Sequence, residues 1–346
     1  MGLNIKDLIV KEEITIKALK GKILAVDSMN ILYQFLTTIR GIDGSVLTDS
    51  KGRVTSHLIG LFSRTTVLME QGIKLVFVFD GKPPAIKQET WEKRRNIKEE
   101  AELKFQEAEK MGYQEEMRKY ASRTTRLTKE MIIDAKNLIT ALGLPIIQAP
   151  SEGEAQTAYL VKKGDAYASL SQDYDNLIFG CPRLIRNLSV TGRRKKAGKA
   201  VGYITVSPEM IELPKVLAEL KLTNDQLIVL AILIGTDYNP GGIKGIGPRK
   251  ALKLLQDHKD DFEKIFSLVK WDEQYPERSW LEIFNTIKHI PVTDKYELSW
   301  KKIDEKKITH LLVEEHGFGL ERVQKKLDDL RKEQKILDQK GLSSFF

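Results

Sequence analysis

The sequence predicts an α/β fold with a mostly parallel central sheet flanked by helices. Three observations carry that prediction. Short apolar runs, Ile23 to Val26, Leu75 to Phe79 and Ala166 to Leu170, read as buried strands. Segments of helical period separate them, as the crossovers of a parallel sheet require. An acid follows each run (Asp27, Asp80, Asp173), and parallel sheets gather their ligands at strand carboxyl ends.

Taken in order, residues 1 to about 80 read as strand, helix, helix, strand. The strand Lys22–Val26 leads to Asp27, and helical periodicity follows through Ile31, Leu32 and Phe35. A loop rich in Gly, Asp and Ser spans Gly41 to Gly52. A helix runs from about Ser56 to Gln71, and Leu75–Phe79 delivers Asp80. Composition shifts after Pro84: Lys87 to Lys129 is dense in Lys, Arg and Glu, with sparse apolar residues. This segment reads as a solvated helix pair or as a mobile basic structure that guides a phosphate backbone, the first being preferred. From Thr128 come a helix over about Lys129 to Leu142, a short strand Pro145–Gln148, a helix opened at Ser151, and the strand Ala166–Leu170. Arg193-Arg194-Lys195-Lys196, between glycines, reads as an exposed loop. Helices dominate after Thr223, ending in a charged helix, Leu320 to Leu337, and a short end piece, Gln339 to Phe346.

The formal net charge of +8 favours a polyanionic partner, although solubility alone explains such an excess too. Cys181 is the single cysteine, so an intramolecular disulfide is excluded and a cysteine-based zinc site is not expected. No apolar stretch has the length of a signal peptide or a membrane span, so a soluble, intracellular, cytoplasmic protein is expected.

Seven carboxylates stand out. Glu152 with Glu154 and Asp173 with Asp175 are close pairs; Asp27, Asp80 and Asp237 stand alone. Each has an ordinary reading. Ser151 and Glu154 form a capping-box pattern, and acids after strands commonly make turns. Caps and turns do not account for three strand-end acids together with two pairs. Carboxylates converging there would repel one another unless cations sat between them, and hard oxygen ligands suit Mg²⁺ or Mn²⁺.

A second constellation runs from Gly235-Thr236-Asp237-Tyr238 to Gly245-Ile246-Gly247-Pro248-Arg249-Lys250, after the apolar helix Leu227–Ile234. It resembles a helix-hairpin-helix element, with Pro248 opening the second helix and Lys244, Arg249 and Lys250 at hand for phosphates. A plain glycine-rich turn between helices is the alternative. A third is the terminus, where Gln339, Leu342 and the pair Phe345-Phe346 have the spacing of a sliding-clamp-binding box. The alternative there is a terminus docked on its own core.

Together these residues resemble the flap endonucleases of the structure-specific 5′-nuclease superfamily, over nearly the whole chain. The telling stretches are Val26-Asp27-Ser28-Met29, Thr55-Ser56-His57-Leu58, Val78-Phe79-Asp80-Gly81-Lys82-Pro83-Pro84, Ala149-Pro150-Ser151-Glu152-Gly153-Glu154-Ala155 and the glycine-rich hairpin. Length and the clamp box favour the archaeal type. The resemblance implies that Asp27, Asp80, Glu152 and Glu154 hold or position one divalent ion. Asp173, Asp175 and Asp237 would serve a second, with Glu154 between. Two Mg²⁺ are implied, replaceable by Mn²⁺. Lys87 and Arg94 match basic residues at the base of a helical arch near the scissile phosphate. Tyr33 matches an aromatic that stacks on a base, Gly2 would place the N-terminus near the site if Met1 is removed, and Arg40, Thr55 and Arg64 lie in segments that contact or bend duplex DNA in relatives. The family assigns His57 no acid–base role; a packed histidine is expected.

The resemblance also divides the chain: 1–100 as an N-terminal nuclease region, 101–127 as the rest of the charged arch, 128–260 as an internal nuclease region carrying the hairpin, 261–337 as a C-terminal helical region, and 338–346 as the clamp-binding tail. Eukaryotic relatives continue past the box into a basic extension, so no nuclear address is expected here. The implied activity is hydrolysis of DNA at 5′ flaps in lagging-strand processing and repair, with 5′-3′ exonuclease action, by a monomer that partners branched DNA and a proliferating-cell-nuclear-antigen-type clamp. The rivals are another nuclease of the superfamily and a clamp-tethered junction-binding protein without hydrolysis.

Overall fold

The computed structural model describes residues 3–41, 44–113, 116, 120, 126–190, 192–195 and 203–343. Its strands are β1 (Glu12–Glu13), β2 (Ile23–Asp27), β3 (Lys74–Phe79), β4 (Ile146–Gln148), β5 (Ala168–Leu170), β6 (Arg183–Arg186), β7 (Gly192–Lys195), β8 (Tyr203–Val206) and β9 (Glu209–Glu212). Seven form one sheet in the order β1-β9-β6-β5-β2-β3-β4. The five strands from β6 to β4 are parallel; β9 and β1 add an antiparallel edge. The expected mostly parallel sheet is therefore present.

Alternation explains why the strands read as unbroken apolar runs. On β3, Leu75, Phe77 and Phe79 enter one core while Val76 and Val78 enter the other. On β2, Leu24 and Val26 face the first and Ala25 the second. Both faces are covered, so both sets must be apolar.

The helices are α1 (Ser28–Thr38), α2 (Ser56–Glu70), α3 (Gln88–Met111), α4 (Lys129–Ala141), α5 (Gly153–Lys163), α6 (Asp175–Ile178), α7 (Leu213–Leu220), α8 (Asn224–Ile234), α9 (Pro248–His258), α10 (Phe262–Leu268), α11 (Trp271–Gln274), α12 (Trp280–Lys288), α13 (Glu305–Thr309) and α14 (Leu320–Ser343). The first face packs against α1, α2, α4 and the start of α14; the second packs against α5, α7 and α8. Helix α8 is buried nearly all round, and Thr223 and Gln226 close it with a capping box. Gly60 in α2 lets α1 approach: a Cβ there would lie 2.2 Å from the Phe35 ring.

Three expectations change. The basic stretch at 193–196 is not a loop as far as it is described. Residues Gly192–Lys195 form β7, paired antiparallel with β8 through Arg194↔Ile204 and its neighbours. Cross-strand partners of high β propensity (Tyr203, Ile204, Val206) supply the pairing that glycine-flanked charges alone did not suggest. The last helix continues to Ser343, past the expected end at Leu337, so Gln339 and Leu342 lie on helical backbone and not in a separate end piece. Good helix formers such as Lys, Gln and Leu fill that stretch, and nothing in it breaks a helix before Gly341. Finally, the helix after β4 starts at Gly153 with Glu152 at its N-cap; neither Ser151 nor a capping box closes it. The first-turn amide of Gly153 is instead satisfied by Asp80 Oδ1, at 2.7 Å.

Candidate active site

Four adjacent parallel strands, β5-β2-β3-β4, end side by side. From those ends come Asp173 and Asp175, Asp27, Asp80, and Glu152 and Glu154, in that spatial order. Strand order reverses between β2 and β5, which opens a crevice at their carboxyl ends. Asp237 arrives separately, from the turn after α8, where Thr236 and Asn239 bridge. Six acids of the sheet and one from outside it thus meet over one crevice.

Four of the acids have individual tethers, and Glu152 and Asp237 share Lys87. Asp27 caps α1, accepting the Asn30 N–H at 3.1 Å, and its other oxygen accepts from Ser171 at 3.1 Å. Asp80 caps α5 through Gly153. Gly153 must lack a Cβ for this, since one would sit 2.6 Å from Asp80 Oδ1. Asp175 accepts the Leu3 N–H at 2.7 Å, and Asp173 accepts from the Asn30 side chain at 2.8 Å. Lys87 lies among the acids, 2.7 Å from Glu152 Oε2 and 3.2 Å from Asp237 Oδ2. Among the described residues, no three Asp, Glu, His or Cys groups stand at metal-ligating spacing. The carboxylates crowd one another without closing into a single cage.

That crowding is legible in their proton affinities. Burial and then Asp80 push the Asp27 carboxyl up to about 8. Burial and Glu152 push Asp80 up to about 6; burial and Asp173 push Asp175 up to about 7. Glu154 is raised well above the usual range by burial and by Asp175, Asp27 and Asp173. Burial works against the Lys87 ammonium, but Glu152, Asp237 and Glu154 outweigh it and hold the proton on. Glu152 Oε1 is buried without a hydrogen-bond partner. A dense set of carboxylate oxygens, two of the acids (Asp27 and Glu152) buried, with one lysine among them suits added positive charge. The space enclosed by Lys87, Glu152, Glu154, Asp175, Asp237 and Tyr238 is about 10 Å³, near the size of one water-sized sphere. A roomier cavity of about 270 Å³ lies elsewhere, beside the stacked Phe266 and Trp280.

The other predicted residues divide. Lys87 is buried inside the acid cluster, immediately before α3. Arg94 lies on α3; its side chain is outside the described residues, as are Gly2, Phe345 and Phe346 and the side chains of Gln339 and Leu342. Tyr33 is half-buried on α1, one turn beyond Asn30. Lys244, Gly245, Gly247, Arg249 and Lys250 are all exposed on the hairpin before and into α9. Its amides are only partly available, because the Lys244 N–H donates to Gln274 Oε1 at 2.9 Å. Arg64 is exposed on α2, and Arg40 donates to the Gly44 carbonyl at 2.8 Å. Thr55 is buried and donates to the Leu47 carbonyl at 3.2 Å, so it shapes its loop. His57 is fully buried, as a packed histidine should be, and Cys181 is likewise buried.

Sequence reasoning missed Asn30, Ser171, Thr90 and Tyr238. Thr90 donates to the Asp237 carbonyl and ties α3 to the seventh acid. Tyr238 is buried with Lys87 5.7 Å from its ring centroid. Only Asn30 carried a signal: it stands three residues after a strand-end acid, where a capped helix aims its first turn at the site.

The XPG N-terminal domain family matches residues 4–101, and the XPG I-region family matches residues 143–237. Flap endonuclease 1 of Pyrococcus horikoshii is 52% identical over 346 residues, covering 100% of this chain and 98% of that protein. The Staphylothermus marinus flap endonuclease 1 is 53% identical over 336 residues, covering 96% and 95%. Among solved structures, flap endonuclease-1 from Methanococcus jannaschii is 44% identical with a TM-score of 0.73, covering 96% of this chain and 98% of that one. The catalytic core of Rad2 in complex with DNA substrate is 23% identical with a TM-score of 0.68, covering 95% and 100%; it supports the fold.

Proposed function

Because this chain belongs to the flap endonuclease family of XPG-type nucleases and is a structure-specific nuclease, we propose that it hydrolyses branched DNA at the foot of a 5′ flap with two divalent cations held by its seven acids. The convergence of those acids over the β2/β5 crevice carries the reading. The donor set is all carboxylate oxygen, which fits Mg²⁺ or Mn²⁺. Asp27, Asp80, Glu152 and Glu154 would hold or position one ion, and Asp173, Asp175 and Asp237 the other, with Glu154 between. When bound, the pair supplies Lewis-acid charge that lowers the pKa of water and stabilises an oxygen leaving group.

The chain's own residues do the rest. Lys87 keeps its proton and offers a fixed positive charge beside the acids, and Arg94 offers another from α3; both would balance charge that develops on the scissile phosphate. Tyr33 would stack on the base next to it. The exposed Lys244, Arg249 and Lys250 would hold the duplex backbone, together with Arg64 and the Arg40 loop, so that shape and not base sequence is recognised. Helix α3 would form one side of an arch that admits the single strand. Products would carry a 5′-phosphate and a 3′-hydroxyl. The tail from Gln339 to Phe346 would dock on a sliding clamp.

A 5′-labelled flap incubated with and without Mg²⁺ tests the proposal. Cleavage at the junction that depends on the ion is expected. Tight flap binding with no ion-dependent product would favour the junction-binding rival instead.

A further inference from the structure

Asp27 and Asp173 flank the crevice but come from different kinds of backbone. Asp27 ends a strand and caps a helix, so its position is fixed twice over. Asp173 lies on the irregular stretch between β5 and α6, where no regular backbone aims it. Asn30, in the first turn of α1, joins the two. Its backbone N–H donates to Asp27 Oδ1 at 3.1 Å. Its side-chain Nδ2 donates to Asp173 Oδ2 at 2.8 Å, while its Oδ1 accepts the Gln172 N–H at 3.0 Å. The amide orientation is unambiguous, because a backbone N–H only donates and must meet the oxygen. Ser171 reinforces the link, donating to Asp27 Oδ2 at 3.1 Å and accepting the Asp173 N–H at 3.3 Å.

Resting on the two-cation reading above, we infer that Asn30 is a positioning residue that locks the Asp173 loop to the capped end of α1 and so sets the spacing between the two ion-binding groups. An amide is suited to this. It orients a carboxylate without neutralising it, whereas a lysine at the same place would compete with the cation for charge. Asn30 acts through Asp27 and Asp173.

Mn²⁺ binding to the DNA-free protein, followed by the free-ion paramagnetic resonance signal, reads this directly. Asn30→Ala should weaken Mn²⁺ affinity about 10-fold and raise the Mg²⁺ concentration for half-maximal cleavage by a similar factor. The rate at saturating Mg²⁺ should return to within about 3-fold of the parent, since the chemistry itself keeps its groups. Asn30→Ser, whose hydroxyl is too short to reach Asp173, should do the same and replaces Asn30→Ala if that variant does not fold. Parent-like Mn²⁺ affinity in the folded variant, or a rate loss that saturating Mg²⁺ leaves in place, would overturn the inference alone. A parent protein that binds no Mn²⁺ and cleaves without Mg²⁺ would overturn the reading on which it rests.

Discussion

Asp173 is expected to be indispensable for cleavage and dispensable for binding, because it meets the site through a loop and not through the core. Asp173→Ala should lower the cleavage rate by more than about 100-fold while flap binding persists or tightens, since one source of repulsion towards phosphate is gone. Gel-shift and single-turnover measurements on the same substrate check both halves; a parallel loss of binding would count against the ligand role. A second residue-scale prediction lies away from the site. His57 is buried with both ring nitrogens unpartnered, and burial, then His316, lower its pKa to about 4. Its unfolded value is near the ordinary 6.5. Between those values the unfolded chain holds a proton that the folded chain refuses, so unfolding gains as pH falls. The contribution is fully present above about 6.5 and drains away towards 4. Replacing the ring by His57→Leu should flatten the fall of melting temperature over that window; parallel curves would contradict the assignment.

At the scale of elements, what matters is how closely strands, helices and turns approach. A glycine inside a helix ordinarily costs about 1 kcal/mol relative to alanine, so Gly60→Ala should stabilise α2 on propensity alone. The Phe35 ring, 2.2 Å from the added carbon, reverses the sign. Destabilisation of about 1–3 kcal/mol is expected from chemical denaturation, and a gain in stability would show that α1 yields freely. The elements themselves were largely legible. Apolar runs gave β2, β3 and β5, and 3.6-residue periodicity gave α2 and α4, within a residue or two of their ends, and placed α1 without bounds. Two kinds of feature were not legible. Paired β7 and β8 depend on a partner strand that local composition does not reveal. The start of α5 was misplaced because its cap comes from Asp80, 73 residues earlier, and a long-range acceptor leaves no local pattern.

For the whole molecule, the sheet order is what turns separate motifs into a site. Acids from residues 27 to 175 become neighbours because β5, β2, β3 and β4 are adjacent and parallel, and no spacing along the chain states that order. The acids were nonetheless identifiable, because carboxylates at the ends of buried strands are costly unless they serve something. Lys87 was identifiable as a basic residue of a motif but not as the cation inside the cluster, since its place depends on Glu152 and Asp237 arriving from elsewhere. Among the described residues, no helix is long and apolar enough to cross a membrane. The proposed clamp tail gives a prediction at this scale. Deleting Gln339–Phe346 should leave basal cleavage unchanged and remove stimulation by a sliding clamp; stimulation that survives would place the clamp contact elsewhere.

Crystals of the protein soaked in Mn²⁺ and measured at an anomalous wavelength test the convergence of charge most directly. Two peaks on the order of 4 Å apart, lying among Asp27, Asp80, Glu152, Glu154, Asp173, Asp175 and Asp237, are the expected result. Peaks confined to other surfaces, with none among those seven side chains, would contradict it.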